Sequence, residues 1–135
     1  MKIKAILLSI IAALCLSMIG PQQGSKQTPI SKSYPYPPVV CDGGALPQPA
    51  CVLKYKKIRD AAIRKSVIRL ANDIKSGLAW YAAEEAKINS GQSVKTLAEI
   101  QMNLIILVQL ANDRHELSVD AANASYINLV LTYCC

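Results

Sequence analysis

Asn89-Ser90-Gly91-Gln92 decides the fold of this chain. On either side runs a long stretch of helix formers without a proline, Cys51 to Ile88 before it and about Ser93 to Thr132 after it. Gly91 suits a helix C-cap, and Thr96 with Glu99 has capping-box spacing. A short break between two long helices makes them antiparallel neighbours. The fold class expected is therefore all-α: a long antiparallel helical hairpin, or a small helix bundle if either helix is broken. Gly77 and the polar run Asn112-Asp113-Arg114-His115-Glu116 are the expected places for such a break.

The apolar pattern has the helical period. In the first helix Leu53, Ile63, Val67, Leu70, Ala71, Ile74, Leu78 and Tyr81 fall on one arc. In the second the main stripe is Leu97, Ile100, Leu104, Leu107, Val108, Ala111, Val119, Ala122, Tyr126 and Leu129. Ile106, Leu110, Leu117, Ala121, Ala124 and Leu131 form another arc roughly opposite it, so this helix needs two partners. The proline-rich arm, a third helix or a second copy of the chain would each serve, and a homodimer forming a four-helix bundle is one candidate. Leu70-Ala71-Asn72-Asp73 recurs as Leu110-Ala111-Asn112-Asp113, and the hairpin brings the two tetrads to about the same height, as a duplicated helix would.

All seven prolines lie between positions 21 and 49. Each fixes its own φ and restrains the residue before it, so Tyr34-Pro35-Tyr36-Pro37-Pro38 reads as extended chain. Ahead of it, Lys2 and Lys4 precede an almost unbroken apolar run from Ala5 to Gly20. That run suits an export signal better than a membrane span. Retention as an anchor, or lipid attachment at Cys15, are the alternatives. The division expected is residues 1–20 as signal peptide or membrane anchor, 21–50 as a proline-rich extended arm with a cysteine-bounded loop, and 51–135 as the helical domain.

Four cysteines remain beyond the signal, Cys41, Cys51, Cys134 and Cys135, and an even number in a small exported chain implies disulfides. A Cys134–Cys135 bond would be strained. Cys51 opens the first helix and Cys134 ends the second, so both fall at the open end of the hairpin. Cross-bridging from the 41/51 pair to the 134/135 pair is the favoured arrangement, and a local Cys41–Cys51 bridge is the competitor. Zinc is not expected, because the ten-residue spacing and adjacent terminal pair lack the usual Cys-x-x-Cys knuckles.

The 135 residues carry 15 Lys and Arg against 9 Asp and Glu, a single His and no Phe, and 52% of them are apolar. That suits one domain with a small core. Seven of the cations, Lys54, Lys56, Lys57, Arg59, Arg64, Lys65 and Arg69, cluster at the start of the first helix. Lys54, Lys57, Arg64, Lys65 and Arg69 share a face opposite the apolar stripe, a pattern that fits an anionic surface such as lipid headgroups. Nucleic acid is not the partner expected of an exported chain with few aromatic residues to stack on bases.

His115 projects near the main stripe, where a hydrogen-bonded core residue is the ordinary reading. No metal motif, nucleophile elbow or phosphate loop is present, so no catalytic residue, metal or cofactor is expected. The function expected is that of a non-enzymatic exported helical protein of the cell envelope, periplasm or secreted space, binding a protein partner or an anionic envelope surface. The order of parts up to Cys51 also resembles the outer-membrane subunit of spanin systems: an apolar start, the Tyr34-Pro35-Tyr36-Pro37-Pro38 arm, then Cys41 and Cys51. That resemblance implies a phage-type lysis component of the envelope, lipid-anchored at Cys15. Leu14 stands where lipoprotein signals carry Ala, Gly or Ser, and the two long helices exceed what that family usually carries.

Overall fold

The computed structural model describes residues 34–135. The export-signal reading of residues 1–20, the lipid-attachment reading of Cys15 and the start of the proline-rich arm lie outside the described residues. The unit Pro38–Cys135 is two helices, α1 (Pro49–Asn89) and α2 (Leu97–Tyr133), packed side by side as an antiparallel hairpin. From Pro38 to Gln48 the backbone is irregular apart from a single 3-10 turn at Asp42–Gly44. Among the described residues there is no strand, and no helix is long and apolar enough to cross a membrane.

Each helix end follows from its residues. α1 opens with Pro49 in its first turn, where the missing N–H is no loss. It closes at Gly91, whose φ of 72° is the left-handed conformation that glycine takes without strain. The N–H groups of Gly91 and Gln92 turn back to the carbonyls of Ile88 and Lys87, satisfying the last turn. α2 starts at Leu97 rather than near Ser93, because Thr96 and Glu99 form the capping box. Glu99 N–H donates to Thr96 Oγ1 at 3.2 Å and Thr96 N–H donates to the Glu99 carboxylate at 2.6 Å. Ser93 to Lys95 therefore belong to the connection, where Val94 is fully exposed. Lys87 and Lys95 both reach Glu84, at 2.9 and 3.4 Å, tying the connection down on α1.

Neither helix is broken. At Gly77 an added Cβ would meet Leu104 Cδ1 at 3.4 Å, so this glycine sits where α2 comes close. The polar run at 112–116 stays helical, with His115 turned into the core.

The buried positions of α1 run Tyr55, Arg59, Ile63, Ser66, Leu70, Ile74, Gly77, in steps of four, four and three. Those of α2 keep the same rhythm: Ile100, Leu104, Val108, Ala111, His115, then half-buried Val119, then Ala122, Tyr126 and Val130. This is an eleven-residue repeat over three turns, close to the natural period of a straight helix. One partner helix covers only a narrow seam, so the broad apolar arcs are buried unevenly. Leu53, Ala71, Leu97 and Leu107, assigned to the core from the pattern, are exposed. Tyr55, Arg59, Ser66, Gly77 and Glu84 are buried instead. The Leu-Ala-Asn-Asp tetrads do not occupy equivalent places: Leu70 is 5% exposed and Leu110 53%.

Candidate anionic-surface site

The first two turns of α1 are fastened to the end of α2. Cys51 is bonded to Cys134 and Cys41 to Cys135, with Cα separations of 5.5 Å for both bridges. Gln48 N–H donates to the Cys134 carbonyl at 3.0 Å, and the Tyr55 and Tyr133 rings stack with centroids 6.1 Å apart. The basic stretch of α1 therefore begins at a clamped end and is carried on a continuous helix.

Lys54, Lys57, Arg64, Lys65 and Arg69 are all exposed. Arg59 is not part of this face, although it lies within the same run of cations. It is 2% exposed, and it donates from Nε to Asn123 Oδ1 at 2.7 Å and from Nη1 to Asp60 at 3.1 Å. Asp60 is the only acidic residue between Lys54 and Arg69, and its carboxylate is engaged by the buried guanidinium. The outer face carries five exposed cations. Across the whole hairpin the two helices differ in sign: α1 carries nine Lys and Arg against four Asp and Glu, whereas α2 carries one Arg against four.

A polar layer that the sequence did not reveal sits midway along the hairpin. Ser66 Oγ and His115 Nδ1 are 2.7 Å apart, with exposures of 8% and 4%. Arg69, Asp73, Arg114 and Ser118 line a shallow depression over this pair, and Arg114 meets Asp73 at 3.3 Å. Serine beside imidazole is how a nucleophile is activated, but acyl transfer also needs open approach and donors for the developing oxyanion. Both side chains are buried here on mid-helix turns, whose backbone N–H groups are committed to the helix. The pair satisfies two polar groups inside the seam. Ser66 was legible only as one of several serines; the eleven-residue spacing, read on both helices, is the signal that places it in the seam.

Burial pushes the His115 imidazole below its ordinary pKa of 6.5, outweighing the opposing pull of Glu116 and Ser66. The unfolded chain then binds this proton more readily than the folded one, so stability rises with pH across that range. Unfolding by urea at pH 7.5 and at pH 5.0 is expected to show the midpoint falling on acidification, and His115→Asn is expected to flatten the change. Glu84 and Glu99, whose carboxyls are held below 4.5 by Lys87 with Lys95 and by Thr96, contribute only in a more acid range. An undiminished slope in the variant would assign the effect elsewhere.

All four described cysteines are in disulfides. Among the described residues no cluster of three or more His, Cys, Asp or Glu is placed to hold a metal ion. No family model, curated protein or solved structure matches the chain.

Proposed function

We propose that this is a non-enzymatic, exported helical protein that binds an anionic envelope surface through the outer face of α1. The observation that carries the reading is the exposed set Lys54, Lys57, Arg64, Lys65 and Arg69, with Asp60, the nearest acid, drawn to Arg59. Long basic side chains on one face of a rigid helix give a linear array that meets many headgroup phosphates at once. The two disulfides support export, because such bonds persist in oxidising compartments. The clamped end holds the array straight where the charges are densest.

Each cation near an anionic bilayer contributes roughly 1 kcal/mol, so replacing Lys57, Arg64, Lys65 and Arg69 with Gln is expected to weaken binding about a thousandfold. Co-sedimentation with vesicles containing an anionic phospholipid, compared with neutral phosphatidylcholine vesicles, measures this. Binding by the parent should also fall as salt is raised. A parent that ignores anionic vesicles, or a variant that binds as well as the parent, returns these residues to the role of a solvated face.

A further inference from the structure

The outer face of α2 is apolar and uncovered. Ile106, Leu110, Leu117 and Leu131 are 45%, 53%, 70% and 43% exposed, with Ala121 and Ala124 between them. A stripe this long is unusual on a helix that has only water beyond it. We propose that it is covered by the outer face of α1 of a second copy, so that copies associate side to side, α2 of one against α1 of the next.

Charge selects this occupant over another α2. Asp113 falls in the stripe between Leu110 and Leu117, Glu116 and Asp120 are exposed beside it, and α2 has one Arg against four acids. Two α2 helices face to face would therefore set acid against acid. The outer face of α1 offers the opposite sign, in exposed Lys57, Lys65 and Lys75, together with Ile58, Ile68 and small residues such as Ala61 that receive leucine side chains. Orientation agrees. A second hairpin lying the same way presents its α1 antiparallel to the first α2, continuing the alternation within each copy and setting the helix dipoles in opposition.

Size sets the strength. From Ile106 to Leu131 the stripe is about 38 Å long, and with a helix width of about 10 Å the contact covers roughly 400 Å² on each copy. The total, about 800 Å², is below the roughly 1,200 Å² of stable complexes, so association is weak and concentration-dependent. Because the two faces differ, every added copy leaves one α2 face and one α1 face open at the ends, and growth does not stop at a dimer.

Sedimentation equilibrium of the oxidised protein without lipid tests this. The weight-average mass is expected to climb past twice the monomer mass as concentration is raised into the high micromolar range. Leu110→Gln with Leu117→Gln should disable one face, and Lys57→Glu with Lys65→Glu the other, each giving a monomer. An equimolar mixture of the two variants retains one intact face of each kind and is expected to form a dimer and nothing larger. A monomeric parent, a parent that plateaus as a dimer, or a mixture that stays monomeric would each overturn the proposal. All four positions are exposed, so both variants should melt with the parent. Should the first melt early, Ile106→Gln with Leu131→Gln replaces it. The same α1 face serves the surface-binding reading, but no lipid enters this measurement, so the two ideas fail separately.

Discussion

Removing both disulfides is expected to destabilise the hairpin by more than twice what removing either one does. The reason is that the two bridges are nested. Cys51–Cys134 and Cys41–Cys135 span 83 and 94 residues, and either one alone closes a long loop. In the chain-entropy picture the first closure contributes about 4.5 kcal/mol. Once it is made, the second confines only the short segment from Cys41 to Cys51 and the final residue, a loop of about a dozen residues contributing roughly 3 kcal/mol. Cys51→Ser with Cys134→Ser, or Cys41→Ser with Cys135→Ser, should therefore each cost about 3 kcal/mol, and the variant lacking all four about 7 kcal/mol. For a domain of this size each single-bridge variant should melt about 12–24 °C lower. The variant without bridges should show little cooperative melting, because its loss approaches the entire stability of an ordinary small domain. Thermal unfolding of the four proteins followed by circular dichroism measures all of this. Strictly additive losses, or single-bridge variants as damaged as the one without bridges, would contradict the nested arrangement.

The second large effect is expected at Arg59. Its guanidinium is shut inside the seam and bonded to Asp60 and Asn123, and the Tyr126 hydroxyl nearby is pushed above its ordinary pKa by the same burial, against the pull of the arginine. A buried charge that keeps its partners is tolerable, and one that loses a partner is costly. Asp60→Ala should destabilise by about 3 kcal/mol, because the charge stays buried after its counter-ion is gone. Arg59→Met, which removes the charge and fills the space, should cost much less, and adding Arg59→Met to Asp60→Ala should restore most of the loss. Urea unfolding of the two single variants and the double variant decides it. An Arg59→Met loss larger than that of Asp60→Ala would mean that the guanidinium itself holds the seam together.

The hairpin was legible because its punctuation is chemical. Gly91 and the Thr96–Glu99 pair mark helix ends by mechanisms that act on a few residues, and they operate here at those positions. The unpartnered arc on α2 was legible for the same reason, since leucines and isoleucines at helical spacing are visible in one dimension. The inner side of α1 was not. Arg59, Ser66 and Glu84 look like surface residues, and besides the local partners Asp60 and Lys87 their burial depends on distant ones, Asn123, His115 and Lys95. Those partners lie 64, 49 and 11 residues away, outside any local pattern. Of the run of cations at the start of α1, Lys54, Lys57, Arg64, Lys65 and Arg69 are exposed, whereas Arg59 turns inward.

The four-four-three rhythm shared by both helices has a consequence for size. Eleven residues complete three turns, so inserting or deleting eleven in each helix returns every side chain to the angle it had before. The hairpin behaves as a ruler with graduations of about 16 Å, and its span from bridged end to turn, roughly 60 Å, is one setting of that ruler. Changes of any other length would rotate one helix against its partner and take the seam out of mesh. Reach, in this architecture, is a quantity that varies in whole steps while the bridges at one end and the capping box at the other stay as they are.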